Sequence, residues 1–539
     1  MRSLAVLLAV LVVTHEVLLA HARPLAWGPW AYAQLVVVAQ SVFLAAGAGA
    51  ASAAAPRFAR LITGLAFTVP PLLYADSLVV VRIDRHLPSL LRLALDARLD
   101  DNRRLLDATG VDLGSIAVFF VGVVGVAMAG AWLAGCPSGP RSPGVRGRTL
   151  VVGWLAATVF LAALEAAAGR ALPARVWSRV ARVVPQVLGA LGPGTRAKAS
   201  LHAALRPLPD PATAAAALAR LEMPSTPPPG DVYFFVVESL RADAVDPDTA
   251  PTLAALARDA LPITTAVSGG NVTQYGWFSL FASRPALYWD PDDPGSGAVT
   301  LRVARRRGWR VEVLTSSDLR YMHLGESILG PSHALADDVF DSSSSPGSPA
   351  AHDVRVMTEL AARAARPHAP TVFVVSLDAT HLPYLWTDDF TPPFRPFAGE
   401  GHYMRAQVDP ADRLAVRNRY RDAVAFVDSL LGRFVAGLRA ARTLDDATIV
   451  VAGDHGEELW EHGLASHGSE ACGVQTHIPL IVRLSAGMRA GASGVGPIRL
   501  ASSIDVWPTL FDAAGVRGDT SALFDGRSLL RGPTGVALA

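Results

Sequence analysis

Apolar residues are distributed differently in the two halves of the chain. The first third contains five apolar stretches, each about long enough to cross a hydrocarbon core of ~30 Å as a helix. These stretches are Leu4–Ala20, Trp27–Ala50, Leu61–Val81, Ile116–Gly135 and Leu150–Ala168. We therefore expect residues 1–172 to form a transmembrane domain of five helices. The first stretch resembles a signal peptide, but no clean cleavage site follows it, so it is interpreted as a retained helix.

Residues 173–230 are expected to join this domain to the rest of the chain. Val176–Leu191 is apolar with interspersed arginines and indicates an interfacial helix, while Met223–Gly230 is proline-rich and indicates a stiff linker. Within the membrane domain, leucine recurs every four residues in the connection Arg82–Asp112, which predicts an amphipathic helix on the membrane surface. An exposed helix packed against the other domain is the alternative for that connection.

Beyond residue 230, short apolar runs alternate with amphipathic segments. The runs typical of strands are Asp231–Ser239, Arg310–Ser317, Thr371–His381, Ala447–His455 and Ile478–Leu484. The segments typical of helices are Thr249–Asp259, Asp353–Arg366, Arg413–Ala441 and Ile504–Ala514. This alternation predicts an α/β domain over residues 231–539 with a mostly parallel central sheet.

The amino-acid composition and the net charge exclude some kinds of protein and partner. The 539-residue chain is 51% hydrophobic, and the apolar excess lies in the first third. The net charge is only +1, so no long-range field favours nucleic acid as a partner. The two cysteines, Cys136 and Cys472, form neither a disulfide framework nor a zinc-finger spacing. An odd number of spans would put the chain's two ends on opposite sides of a membrane, but arginines on both sides leave the orientation open.

Polar residues follow several of the predicted strands. Glu238 ends the first strand, His381 follows the third, and Asp454 and His455 follow the fourth. Because parallel strands end at one edge of a sheet, we expect Glu238, Asp454 and His455 to share a divalent metal ion. His381 should lie nearby. The alternatives are a solvated surface Asp–His pair and an ion pair between Glu238 and Arg241.

The glycine-rich segment Ser268–Phe281 supplies a candidate nucleophile. Thr273 stands where a helix can begin, and a hydroxyl bound to a metal ion at a helix N-terminus can be held as the alkoxide. Two alternatives remain. Thr273 can serve as an N-cap and nothing more, and Ser268 can be the nucleophile instead.

Seven motifs of the second half occur in an order that resembles a known group of proteins. They are VVESLRAD (Val236–Asp243), SGGNVTQYG (Ser268–Gly276), THLPY (Thr380–Tyr384), AGDHGEE (Ala452–Glu458), SHG (Ser466–Gly468), QTHIPLIV (Gln475–Val482) and SSIDVWPTLFDAAG (Ser502–Gly515). Together they resemble the sulfatase-like branch of the alkaline phosphatase superfamily. The N-terminal part resembles in layout its membrane-anchored members, the phosphoethanolamine transferases and lipoteichoic acid synthases.

This resemblance implies a set of functional residues. One divalent ion, whether zinc, manganese or magnesium, is expected on Glu238, Thr273, Asp454 and His455. The implied catalytic residues are Thr273, His381 and His467, and the implied contacts to the substrate's phosphate are His381, His467 and His477. His462 has no clear counterpart in the family.

One departure bears on the reaction. Family members that hydrolyse sulfate esters carry Cys or Ser in a C/S-x-P-x-R motif, and neither Cys136 nor Cys472 has that context. The expected function is therefore a membrane-bound, metal-dependent phosphotransferase or hydrolase acting on phosphodiester head groups. The resemblance implies a membrane phospholipid as donor and a glycan, a lipid or water as acceptor. It also implies a multi-pass protein of the bacterial inner membrane with a periplasmic or extracellular catalytic domain.

Two other functions stay open. The stretch Ser268–Asp290 also resembles a membrane-bound, sulfatase-like lipid sensor of Gram-negative bacteria. A catalytically weak or inactive protein that binds lipid and regulates envelope assembly is therefore one alternative. A sulfuric-ester or phosphoric-ester hydrolase for soluble substrates is the other, and it gives no reason for the membrane spans.

Overall fold

The computed structural model describes most of the second half of the chain and parts of the first. The described residues are 2–20, 27–73, 113–135, 151–160 without 153 and 157, 208–289, 295–399, and 410–531 without 463, 464, 469, 470, 490, 491 and 493. The main division between two compact units falls between residues 206 and 207. The surface helices expected within residues 82–112 and 176–191 lie outside the described residues. The domain boundaries at residues 172 and 230 stay a prediction.

The first unit contains long apolar helices. They are α1 (Arg2–Ala20), α2 (Trp27–Ala54), α3 (Ala59–Phe67) and α4 (Leu113–Gly135). Helix α1 contacts α2, α2 contacts α3, and α3 contacts α4. Small residues allow a close approach between α3 and α4, because a methyl group added at Gly64 would lie 2.8 Å from the carbonyl oxygen of Ala127.

The described helices contain one stretch that is long and apolar enough to cross a membrane. It is Gln34–Ala54 in α2, with a mean hydropathy of 1.8. Shorter apolar helical segments occur at Ala5–Thr14 and Val121–Trp132. The fifth predicted span, Leu150–Ala168, lies mostly outside the described residues. The bundle of five spans therefore stays a prediction.

Helix α4 exposes large apolar side chains. Val121, Met128 and Trp132 are 73%, 68% and 70% exposed. Such a surface is costly in water and stable against hydrocarbon, and its extent favours a membrane environment for this unit.

The second unit is built around a central sheet. In chain order its strands are β1 (Val232–Val237), β2 (Ala266–Val267), β3 (Arg310–Thr315), β4 (Asp338–Asp341), β5 (Thr371–Leu377), β6 (Thr448–Gly453), β7 (Glu458–Leu459), β8 (Ala465–Ser466), β9 (Leu480–Arg483) and β10 (Ala501–Ser502). The central sheet has the order β4–β3–β5–β1–β6–β9, and only β9, paired with β6, runs antiparallel. Strands β2 and β10 pair separately, as do β7 and β8. The predicted, mostly parallel sheet is confirmed.

Helices cover both faces of this sheet. They are α5 (Pro211–Arg220), α6 (Pro251–Arg258), α7 (Thr273–Ala282), α8 (Val299–Arg307), α9 (Leu324–Leu329), α10 (Pro349–Ala364), α11 (Pro410–Ala440), α12 (Gly473–Thr476), α13 (Ala486–Arg489) and α14 (Val506–Ala513). On one face, Phe234 of β1 packs against Phe281 of α7 and Trp507 of α14. On the other face, Phe235 packs against Phe434 of α11. Burial on both faces explains why β1 is apolar at every position.

Strand β4 and helix α10 illustrate differences from the sequence-based expectation. Strand β4 was not predicted because it is an edge strand whose residues are exposed or half-buried, so it lacks an apolar run. Helix α10 begins at Pro349 rather than at Asp353, because the Ser348 side chain accepts a hydrogen bond from the Ala351 N–H and Pro349 occupies the first helical position.

Helix α7 lies very close to the end of β6. A methyl group added at Gly276 of α7 would lie 2.2 Å from the backbone oxygen of Asp454. Contact this close requires glycine, and it fixes the distance between the start of α7 and the residues that follow β6.

We expect Gly276→Ala to lower the free energy of unfolding by about 1–3 kcal/mol, because the new methyl group overlaps backbone atoms of the sheet. Gly437→Ala on α11 is the matched control, since nothing lies within 4 Å of the added methyl group. The control should raise stability by up to about 1 kcal/mol through helix propensity. Chemical denaturation of the full chain in detergent measures both, and equal stability of the two variants would contradict the close packing.

Candidate active site and metal centre

The candidate site lies at the carboxyl edge of the central sheet, where three neighbouring parallel strands end. Val237, the last residue of β1, is in register with Leu377 of β5 and with Gly453 of β6. The residues that follow are therefore brought to one edge of the sheet, and they include Glu238 and Asp454.

Three buried side chains at this edge converge on one point. Glu238, Asp454 and His455 each offer a ligand atom, and these atoms all lie within 4.8 Å of one another. His455 Nε2 lies 3.1 Å from Glu238 Oε1 and 3.5 Å from Asp454 Oδ2. The grouping expected from the strand ends is therefore present in the fold.

Hydrogen bonds orient this group toward a common centre. His455 Nδ1–H donates to the carbonyl oxygen of Gly456 at 2.8 Å, which directs Nε2 toward the two carboxylates. Asp454 Oδ1 accepts from the Ser239 N–H at 2.9 Å, which leaves Oδ2 for another partner. Asp454 Oδ2 and His455 Nε2 are buried, and neither atom has a hydrogen-bond partner among the described residues. These two unpartnered atoms, together with the neighbouring Glu238 carboxylate oxygen, could coordinate a divalent cation.

The carboxylates of Glu238 and Asp454 favour a positively charged partner. Burial and the neighbouring Glu238 raise the pKa of Asp454 well above its ordinary value. Burial acts to lower the pKa of His455, but the Asp454 and Glu238 carboxylates outweigh it and raise that pKa to about 10. A proton on His455 thus occupies the position in which the same donors would hold a metal cation.

Thr273 joins this group from α7. Its Oγ1 donates a hydrogen bond to Glu238 Oε1 at 3.0 Å. The helix begins at Thr273 with Val272 as the N-cap residue, so the alternative in which Thr273 is merely an N-cap is wrong. Ser268, the competing nucleophile, is fully buried, and its hydroxyl donates to the backbone oxygen of Asp454.

Two further histidines line the site. His381 and His467 form a second group with Glu238, with ligand atoms within 4.8 Å of one another. His381 Nδ1–H donates to the Leu382 carbonyl oxygen at 2.9 Å. The ring centroid of His467 lies 4.2 Å from that of His455 and 5.5 Å from that of His381. These predicted residues are therefore brought together with Glu238.

A network that the sequence did not reveal holds His467. Its Nδ1 lies 2.8 Å from Glu457 Oε2, and the Tyr384 hydroxyl donates to Glu457 Oε1 at 3.1 Å. Burial and the neighbouring His455 lower the pKa of His467 to about 4, outweighing Glu457. His467 is therefore neutral at pH 7, with its Nδ1–H committed to Glu457. Glu457 lies in the motif AGDHGEE and Tyr384 in the motif THLPY. Their place in these motifs is the sequence signal that could have identified them as site residues.

The fold also bears on the sequence-based expectations for Arg241 and His477. Arg241 pairs with Asp243 at 2.6 Å and with Glu461 at 2.7 Å, so the alternative in which it neutralises Glu238 is wrong. His477 is exposed, and its ring lies against Gly473. The phosphate contact assigned to His477 stays a prediction.

Comparison with known proteins places this site in a family. The family model described as Sulfatase matches residues 231–516, more than half of the chain. The multifunctional alkaline phosphatase superfamily protein PehA of Trinickia caryophylli is 33% identical over 128 residues, which are 23% of this chain and 23% of that protein. Arylsulfatase K of Danio rerio is 31% identical over 116 residues, 22% of this chain and 20% of that protein. The chain thus spans less than a quarter of each of these curated relatives.

A solved structure shares the fold over nearly the whole chain. It is the integral membrane protein lipooligosaccharide phosphoethanolamine transferase A (EptA) from Neisseria meningitidis, with a TM-score of 0.63 and 17% identity over 96% of this chain and 96% of that one. The family model, the order of the motifs and the fold agree. The chain belongs to the sulfatase family, within the alkaline phosphatase superfamily.

Proposed function

We propose that the protein is a membrane-bound, metal-dependent phosphotransferase or hydrolase that acts on phosphodiester head groups. The observation that carries this proposal is the contact between Thr273 and a buried group of metal-ligand side chains. That group comprises Glu238, Asp454 and His455. Because its donors are oxygen and nitrogen atoms, it suits zinc, manganese or magnesium.

Thr273 is the proposed nucleophile. A divalent ion held by Glu238, Asp454 and His455 would lower the pKa of the Thr273 hydroxyl and offset charge on the transferring group. The hydroxyl proton points toward Glu238 Oε1, which leaves the Oγ1 lone pairs available for attack on phosphorus. Ionisation of Thr273 releases the hydroxyl proton to water, and a bond then forms between Oγ1 and phosphorus while the bond to the lipid alcohol breaks.

His381 and His467 are proposed to handle the protons. His381 delivers a proton to the leaving lipid oxygen, and in the second step His467 takes a proton from the acceptor hydroxyl. Because Glu457 fixes the ring of His467, its Nε2 is the atom left for this exchange. The acceptor is a glycan, a lipid or water, so the phosphoryl group leaves Thr273 as a new ester or by hydrolysis.

The apolar N-terminal helices support a membrane phospholipid as the donor. An enzyme held at the bilayer meets lipid head groups at high effective concentration. We propose five spans in the bacterial inner membrane and a catalytic domain on the periplasmic or extracellular side. The solved structure with the same fold is named as an integral membrane phosphoethanolamine transferase, which fits this arrangement.

The two rival functions account for fewer of these features. A lipid-binding regulator without turnover needs no nucleophile, yet Thr273 contacts Glu238. A hydrolase of soluble esters needs no apolar helices, yet α4 exposes a large apolar surface. Catalysis on a lipid head group accounts for both features.

Thr273→Ala should lower kcat/KM on an aryl phosphodiester by at least ~10³-fold, because the attacking oxygen is removed. Thr273→Ser keeps a hydroxyl and should retain part of the rate. Thr358→Ala is the control, since Thr358 is exposed and its hydroxyl donates only within its own helix, to the Val354 oxygen. Mass spectrometry of wild-type protein mixed with phospholipid should find a peptide containing Thr273 that carries the phosphate-linked head group of the lipid. A Thr273→Ala protein with the wild-type rate would overturn the proposal.

Asp454→Asn should lower the bound metal by about one ion per chain and abolish turnover, because a buried ligand charge is removed. Asp248→Asn is the control, since Asp248 is an exposed aspartate outside the site. Elemental analysis of protein purified in detergent gives the metal content. Chelation should abolish the wild-type activity, and restoring zinc, manganese or magnesium should recover it. Full activity in a metal-free protein would contradict this assignment.

A further inference from the structure

A second group of metal-ligand side chains lies outside the site described above. Glu458, His462 and Cys472 each offer a ligand atom, and these atoms lie within 4.8 Å of one another. Glu458 is fully buried, Cys472 is partly exposed and His462 is exposed. The proposed phosphotransferase reaction uses none of the three.

Two distances among these atoms match the edges of a tetrahedron around one ion. His462 Nδ1 lies 3.3 Å from Glu458 Oε2, and Cys472 Sγ lies 3.6 Å from the same oxygen. With Zn–N and Zn–O bonds of about 2.0–2.1 Å and a Zn–S bond of about 2.3 Å, tetrahedral edges are about 3.3 Å for N···O and about 3.5 Å for S···O. Both distances to Glu458 Oε2 are thus already at coordination spacing, and the third pair of atoms lies within 4.8 Å.

The buried carboxylate in this group is held in a fixed orientation. Glu458 Oε1 accepts from the His462 N–H at 2.7 Å, and Oε2 accepts from Gln475 Nε2 at 3.2 Å. Gln475 is fixed in turn, because its Oε1 accepts from Asn271 Nδ2 at 2.9 Å. Hydrogen bonds of this kind orient metal ligands and raise their affinity. A fully buried carboxylate also gains stability from a bound cation.

We propose that Glu458 Oε2, His462 Nδ1 and Cys472 Sγ form a second metal site that takes zinc, with water in the fourth position. A thiolate ligand favours zinc over magnesium and manganese. This site would therefore be more selective for zinc than the proposed active site, whose ligand atoms are all oxygen or nitrogen. Binding breaks the S–H bond of Cys472, forms the Zn–S bond and releases the thiol proton to water. No electron is transferred.

The position of the site suggests its role. Its ligands precede and follow His467 along the chain, and Glu458 is adjacent to Glu457, which orients His467. An ion on the three ligands would cross-link the segment between β7 and α12. His467 would then be carried on a segment fixed at both ends. The site is therefore structural, and its occupancy is measurable without turnover.

Cobalt substitution tests the thiolate ligand. The purified full chain is stripped of metal with a chelator in detergent and titrated with Co²⁺, because a cobalt–thiolate bond gives a near-ultraviolet charge-transfer band that imidazole and carboxylate do not give. We expect the band in wild-type protein and in Cys136→Ser, the one other cysteine of the chain, and its loss in Cys472→Ser. A wild-type protein without the band, or a Cys472→Ser protein with it, would overturn the proposal and leave a hydrogen-bonded cluster that takes no ion.

The histidine ligand has its own matched control. His462→Ala should weaken Co²⁺ binding in the charge-transfer assay at least tenfold. His323→Ala should leave it unchanged, because His323 is another exposed histidine beside a glutamate, 3.2 Å from Glu326 Oε2, and among the described residues no cysteine joins the pair. Equal affinities of the two variants would exclude His462 as a ligand.

Thiol protection tests the same site without altering any ligand. Zinc should slow alkylation of Cys472 in wild-type protein at least tenfold, as followed by mass spectrometry, and leave Cys136 unprotected. In Asp454→Asn the protection of Cys472 should persist while turnover is lost, which separates this site from the proposed active site. Unprotected Cys472 in zinc-saturated wild-type protein, or loss of protection in Asp454→Asn, would overturn the proposal.

Discussion

The candidate site depends on one constraint, which is that the sheet brings two carboxylates close together. Glu238 and Asp454 follow β1 and β6, which are adjacent parallel strands with all their residues buried. Buried side by side, the two carboxylates repel each other, and a proton or a cation placed between them relieves that repulsion. His455, with its raised pKa, meets that requirement by taking a proton, and the same requirement supports the proposed metal site.

The neighbouring structure keeps this charged pair rigid. Ser239 adopts a left-handed backbone conformation, φ 55°, which turns its N–H toward Asp454, and the Tyr420 hydroxyl donates to the Ser239 oxygen at 2.8 Å. The absence of a side chain at Gly276 lets α7 approach the end of β6 and brings Thr273 to Glu238. The polar groups of the site are thus oriented by the fold itself, which is the kind of preorganisation that stabilises charge developing in a reaction.

The chain from Glu457 to Cys472 links the two candidate clusters of metal-ligand side chains. Glu457 orients His467 toward the first cluster, and Glu458, the next residue, belongs to the second. Adjacent residues of an extended chain project to opposite sides, so one short segment can support both. An ion bound by the second cluster would therefore restrain the backbone that positions a residue of the first.

The strands and the grouping of Glu238 with Asp454 could be predicted because both follow from local patterns of apolar and polar residues. A strand buried on both faces is apolar at every position, and parallel strands must end together, so Glu238 and Asp454 could be paired without a structure. Strand β4 gave no such signal, because an edge strand needs few apolar residues.

What only the tertiary structure decided were contacts between residues far apart in sequence. The roles of Glu457 and Glu458 are the clearest case, since two identical neighbours carry no sequence signal that separates them. The fold turns one toward His467 and the other toward Cys472. The sequence determined which residue types stand at each strand end, and the packing of distant segments determined which atoms each of them meets.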